Sequence, residues 1–133
     1  QASTIPLIWH ARNATSFRRG VQSQCSDAFN LSGGIAEVLS MSHTLETISK
    51  SCWFGSSIEM GVGQACRMHV AAASRTCTMA CDFVSGIVRE HTLVTWDWPY
   101  KDGRLPLPGG VGLGVELDRD ALAHYARIQK VFH

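Results

Sequence analysis

The sequence predicts an α/β fold built on a parallel sheet. Apolar runs of about five residues alternate with helical stretches of roughly 10–17, the signature of βα units. No Gly/Ser-rich linker or low-complexity segment interrupts this alternation. The 133 residues, 45% of them apolar, suffice for one domain with a sizeable core. They fall short of the roughly 200 that a complete (β/α)8 barrel needs.

Ile5-Pro6-Leu7-Ile8-Trp9 reads as a first buried strand. Thr15 or Ser16 can cap the helix after it, which should run to about Gln24. Asp27 to Leu31 reads as the second strand, and Ser32-Gly33-Gly34 as a turn and permissive helix entry. Ile35, Val38, Leu39, Leu45 and Ile48 recur at helical spacing. Ser51 to Phe54 is a third strand. A helix from about Ile58 to Ala73 would set Ile58, Val62, Cys66, Val70 and Ala73 on one face. Thr76 to Asp82 offers a fourth strand. Leu93–Trp98 and Arg104–Leu107 then flank Tyr100-Lys101-Asp102-Gly103, a hairpin turn with Gly where positive φ is needed. Asp118 caps a last helix to about Val131.

A net charge of +1 with mixed signs gives no footprint for nucleic acid or an anionic membrane. No apolar run reaches the roughly 18 residues of a membrane span. No basic segment leading into an apolar stretch opens the chain, so no signal peptide is expected. The chain opens on Gln1, which suggests processing or a longer parent. Five cysteines, Cys25, Cys52, Cys66, Cys77 and Cys81, form an odd and irregular set, expected as free thiols in a reducing cytosol.

Four segments carry a family resemblance: "IPLIWHARNATSF", "DAFNLSGGIAEVL", "CWFGSSIEMGVGQACRMHVAAA" and "DGRLPLPGGVGLGVELDRDAL". In order, they resemble the fifth, sixth and seventh strand units and the closing segment of the enolase superfamily barrel, in the mandelate racemase and muconate lactonizing enzyme branch. The resemblance implies a partial (β/α)8 TIM-type barrel of about four βα units. Residues 1–90 would be the second half of the barrel, and 91–133 a hairpin-like return segment and helix of the same domain. It also implies the family's chemistry, Mg2+-dependent proton abstraction next to a carboxylate by a lyase or isomerase. "TSF", "ACD" and "GLGVELDRDAL" lean towards sugar-acid dehydratase-like members; "GSSIEMGVG" leans towards cycloisomerases and epimerases.

The departures from the family pattern matter as much. Of the family's three acidic metal ligands, two are expected upstream of Gln1, together with the lysines of the second strand. The third, normally Asp, falls where Trp9-His10-Ala11 stands. His10 is a poor replacement, because hard Mg2+ prefers carboxylate oxygen. Only Ser32 remains between Leu31 and Gly33, so the end of the sixth strand is shortened. Neither Phe54 nor Gly55 supplies the His base of dehydratase-like members.

The resemblance places Glu59 at the acidic catalytic position after the seventh strand, with Ser56, Ser57 and Asn30 lining the substrate site. Each has a plainer reading. Ser56-Ser57-Ile58-Glu59 is also an S-x-x-E capping box. The serines can cap a helix, and Asn30 can start a turn. His10 can ligate a softer metal or be a hydrogen-bonded structural residue. Asp82 can line the site or be a solvated loop acid. Cys66, His69, Cys77 and Cys81 offer a weak zinc pattern. Gly61-x-Gly63 is too little for a dinucleotide fingerprint. Trp53, Trp96 and Trp98 read as core or sheet-face residues.

These readings give three function hypotheses: part of a Mg2+-dependent lyase or isomerase acting on a small carboxylate substrate, inactive as an isolated chain; a non-catalytic remnant; and a small zinc module. The expected setting is cytoplasmic, with no nucleic acid or membrane partner. Half a barrel leaves two open sheet edges, so the missing half or self-association is expected to cover them.

Overall fold

The computed structural model describes residues 5–127. Three parallel strands form one sheet in the order β1 (Ile8–Ala11), β2 (Ala28–Leu31), β3 (Ser51–Phe54). The helices are α1 (Ala14–Ser23), α2 (Ile35–Thr47), α3 (Gly61–Ala73), α4 (Ser85–Val88) and α5 (Arg119–Tyr125). The chain divides into two compact units. The first comprises residues 5–57 and Arg67–Phe83; the second comprises Ile58–Cys66 and residues 84–127.

In the first unit the strand register fixes everything else. Trp9, Phe29 and Cys52 stand level, as do Ala11, Leu31 and Phe54. These residues share one face by the two-residue period of a strand. Ala11, Phe29, Leu31, Cys52 and Phe54 are buried with Phe17 of α1 and Val38, Met41 and Leu45 of α2. Each large side chain buried this way contributes about 1.5–3 kcal/mol. The level rows Ile8–Ala28–Ser51 and His10–Asn30–Trp53 fall on the opposite face. Ile8 there stays 43% exposed.

Local chemistry sets the helix starts. Asn13, not Thr15 or Ser16, caps α1, its Oδ1 accepting the Ser16 amide at 2.9 Å. Glu37 of α2 accepts the Ala14 amide at 2.8 Å, satisfying another amide of the α1 first turn. Gln24 ends α1 in the left-handed conformation.

Several expectations shift. The first strand begins at Ile8, three residues late, so His10 lies inside it. The expected fourth strand is reduced to a single parallel bridge of Cys77 with Cys52, although the Cys52 amide still donates to the Thr76 carbonyl at 2.7 Å. Helix α3 begins at Gly61, not Ile58, and Gly61, Gln64, Ala65 and Met68 are its buried residues. Val62 on the expected face is 46% exposed. Periodicity misled because the buried stripe contains Gly and Gln.

The second unit is organised around Gln64 and Trp98. The Gln64 side chain, fully buried, accepts the Ser85 amide at 2.7 Å and donates to the Tyr100 hydroxyl at 3.2 Å. Trp98 donates to Thr92 at 2.7 Å and stacks edge-on against Trp96. Asp102 and Gly103 both have positive φ and are closed by a Lys101–Arg104 bridge, a type I′ turn. The expected strands do not extend from it, because Val94 pairs with Leu117 instead. Asp118 caps α5 through Ala121, but the helix ends at Tyr125, and Val131 lies outside the described residues. No helix among the described residues is long and apolar enough to cross a membrane.

Gly20 tests the packing of the first unit. A Cβ there would lie 2.7 Å from the Trp9 ring and 2.8 Å from Phe29. The Trp9 indole is pinned by its 3.0 Å bond to the Ser16 carbonyl. Alanine gains about 1 kcal/mol of helix propensity. Overpacking against rigid rings costs about 1–3 kcal/mol. Gly20→Ala should therefore lower stability by about 1 kcal/mol in urea denaturation, against the propensity trend.

Candidate functional site

The row His10–Asn30–Trp53 brings together polar groups from all three strands. Its register follows from the apolar row on the opposite face, so the fold itself sets these groups level. His10 Nε2 and Ser32 Oγ share a 3.2 Å hydrogen bond. Asn30 does not start a turn. It sits within β2, and its Oδ1 accepts the Gly55 amide at 3.0 Å. A Cβ on Gly55 would meet that oxygen at 2.7 Å, so this approach requires glycine. The Trp53 indole N–H is buried and has no hydrogen-bond acceptor among the described residues. Such a donor costs about 1–3 kcal/mol unless something else accepts it. Trp53 was read from sequence as a core or sheet-face residue, and it lies on the sheet face; its place beside Asn30 comes from the strand register.

The chain leaving β3 is held by side chains at successive amides. Phe54 donates to Cys81 Sγ at 3.4 Å, Gly55 to Asn30, and Ser56 to Asp82 Oδ1 at 2.6 Å. The Gly55 carbonyl accepts Arg67 Nη1 at 2.9 Å. Asp82 is thus a clamp rather than a solvated loop acid. Ser56 and Ser57 belong to this first unit. They precede the first turn of α3, as the whole Ser56-Ser57-Ile58-Glu59 tetrapeptide does, so it does not occupy the positions of a capping box on that helix.

Glu59 belongs to the second unit. Its carbonyl accepts Ser85 Oγ at 2.5 Å. Its side chain lies against Gly63, where a Cβ would approach the Glu59 Cβ to 2.9 Å. Ile58 before it has φ 55°, a left-handed conformation that a β-branched residue rarely adopts. The Ile58 carbonyl accepts both Nε and Nη2 of Arg89. Strain of this kind persists only where neighbours enforce it, and it concentrates at functional loops.

The donors present do not fit Mg2+. β1, β2 and β3 carry no carboxylate, and the imidazole at the expected acid position is engaged with Ser32. Among the described residues no group of three or more His, Cys, Asp or Glu can hold a metal ion, which also leaves the Cys66, His69, Cys77, Cys81 pattern unassembled.

Replacing Asn30 tests the grip on the loop. Asn30→Ala leaves the buried Gly55 amide without its acceptor. Stability should fall by about 1–3 kcal/mol. The Gly55 amide should also exchange faster with solvent deuterium than in the parent chain.

The comparisons with known proteins agree with this architecture. The chain is 33% identical over 107 residues to a chloromuconate cycloisomerase of Pseudomonas putida, covering 77% of this chain and 29% of that one. It is 33% identical over 110 residues to the N-succinylamino acid racemase of Thermus thermophilus, covering 78% and 29%. The chain therefore spans less than a third of the length of these curated relatives. The crystal structure of muconate cycloisomerase from Pseudomonas fluorescens superposes with a TM-score of 0.86 at 18% identity, covering 95% of this chain and 37% of that one. That likeness speaks to the fold. The family model of the enolase C-terminal domain-like proteins matches residues 5–121, and this chain belongs to that family.

Proposed function

We propose that this chain forms the C-terminal wall of a carboxylate-handling active site of the cycloisomerase and racemase kind, and that it does not turn over substrate by itself. The observation that carries this reading is the level row His10–Asn30–Trp53 on the sheet face turned away from the buried core. In a closed barrel that face would line the interior. The half-barrel of the resemblance accounts for the row and for the exposed Ile8 beside it.

Each residue has a role in this reading. The Trp53 indole N–H supplies a donor for a carboxylate oxygen. Asn30 fixes the loop through Gly55, and Asp82 fixes it through Ser56. Ser56 and Ser57 follow as substrate contacts. Glu59 enters through the resemblance, as the acid/base or substrate-contacting group; the left-handed Ile58 before it and the Ser85 bond to its carbonyl support that role. In this family a bound Mg2+ supplies charge stabilisation for the proton-abstraction step. His10 and its neighbours do not fit that ion. The names of the relatives favour cycloisomerase or racemase chemistry over sugar-acid dehydration.

The edge strand β1 and the uncovered sheet face need a partner. The reading supplies one, the rest of the barrel, or else a second copy of this chain.

One experiment separates these outcomes. The purified chain is titrated with Mg2+ and assayed on muconate, alone and together with the N-terminal two thirds of a cycloisomerase relative. The chain alone should neither bind Mg2+ tightly nor turn over. With the complementing segment, His10→Asp should confer Mg2+ binding by calorimetry, and Glu59→Gln should then abolish turnover. Tight Mg2+ binding and turnover by the unaltered chain alone would sink the proposal. Light scattering on the isolated chain should find self-association; a thermally robust monomer would argue against an open barrel half.

A further inference from the structure

Three of the five cysteines converge beneath the end of β3. The parallel bridge sets Cys77 beside Cys52. Cys77 Sγ lies 3.6 Å from Cys81 Sγ. The Cys52 thiol is fully buried and meets both Cys77 and the Thr76 hydroxyl, the latter at 3.4 Å. Cys77 and Cys81 are half-buried at the edge of the core, whereas Cys52 lies within it. Cys81 Sγ also accepts the Phe54 amide at 3.4 Å. A backbone N–H aimed at sulfur favours the thiolate, as does a neighbouring thiol proton.

We propose that Cys77 and Cys81 form a redox-sensitive thiol pair, with Cys81 the thiol that reacts first with a hydroperoxide and Cys77 the one that resolves it into a disulfide. The Cys81 thiolate attacks one peroxide oxygen. An S–O bond forms, the O–O bond breaks, and hydroxide leaves to take up a proton as water. Cys77 then loses its proton to solvent and attacks Cys81 Sγ. The S–S bond forms, the S–O bond breaks, and a second water leaves. Two thiols are oxidised and one hydroperoxide is reduced.

The electrostatics assign these roles. The Cys77 thiol's hydrogen bond brings Cys81 down to about 7, helped by the Phe54 amide and opposed by burial and by Asp82. Cys77 is pushed well up, because its hydrogen bonds with Cys52 and Cys81 favour its protonated form and it is itself half-buried. Cys52 is lowered by the same Cys77 thiol, but its burial keeps it from the oxidant. Oxidation makes the acceptor of the Phe54 amide a weaker, uncharged sulfur and pulls Cys81 towards Cys77, shifting the segment whose next residue, Asp82, holds the Ser56 amide. The thiol pair is therefore linked to the loop that leaves β3.

Trypsin separates the possible pairings, because cleavage after Arg75 and Arg89 leaves Cys77 and Cys81 in one peptide, residues 76–89. Cys52 falls in a different peptide, residues 51–67. The full chain carrying Cys25→Ser is treated with hydrogen peroxide and digested without reduction. The expected product is peptide 76–89 lighter by two hydrogens, with the Phe54 amide exchanging faster. Cys52→Ser should leave this product unchanged, and Cys77→Ser should stop at a Cys81 sulfenic acid trapped by dimedone. A cross-link between peptides 51–67 and 76–89 as the main product, Cys81 carried on to sulfinic acid without a disulfide in the Cys77-containing chain, or no reaction at either residue would overturn the proposal. If a variant fails to fold, the peptide map of the Cys25→Ser chain decides alone.

Discussion

The fold rests on the parallel register of three short strands. Because strand side chains alternate, setting Phe29 level with Cys52 also sets Asn30 level with Trp53. The first row is part of the buried core and is held by the hydrophobic effect. The second row follows from the same register. A one-residue slip of β2 would bury Asn30 and expose Phe29 and Leu31, losing several kcal/mol. The core thus enforces the geometry of the candidate site without touching it.

Much of this was legible in the sequence where local chemistry and burial agree. Ser51–Phe54 appeared as read, because an apolar run between polar residues leaves one assignment. The α2 helix, the Asp118 cap and the positive φ of Gly103 followed from periodicity and turn chemistry. Other features were set by tertiary partners that no local pattern announces. Asn13 displaced Thr15 and Ser16 as a cap because the helix begins at Ala14, whose amide Glu37 of α2 accepts, so both fall inside its first turn. The start of α3 moved to Gly61 because the Gly61 amide bonds the Thr92 carbonyl, 31 positions along the chain. The loss of the fourth strand was illegible because Thr76, Thr78 and Cys81 bind β3 through side chains as much as through backbone.

The candidate site divides the same way. Its residue types were visible in the sequence, but their partners were not. Asn30 and Asp82 both had plain local readings, a turn starter and a solvated acid. Both instead accept backbone amides from the segment after β3. Two more partners at the same segment, Cys81 and Arg67, come from residues later in the chain. A loop whose amides at 54, 55 and 56 each have a side-chain acceptor is set by long-range contacts, and only the folded chain reveals it.

The separation of the two sheet faces also divides the residues that hold the fold together from those of the candidate site. Stability depends on the face formed by Ala11, Phe29, Leu31, Cys52 and Phe54, so change there costs several kcal/mol and the fold is at risk. The opposite face carries little of the core energy, so its residues can change while the architecture persists. A histidine engaged with Ser32 stands where the resemblance expects an acid, and an indole without an acceptor among the described residues stands beside an asparagine that serves the backbone. The residues that pack the sheet against its helices are therefore not the residues of the candidate site, although the family match over residues 5–121 spans both sets.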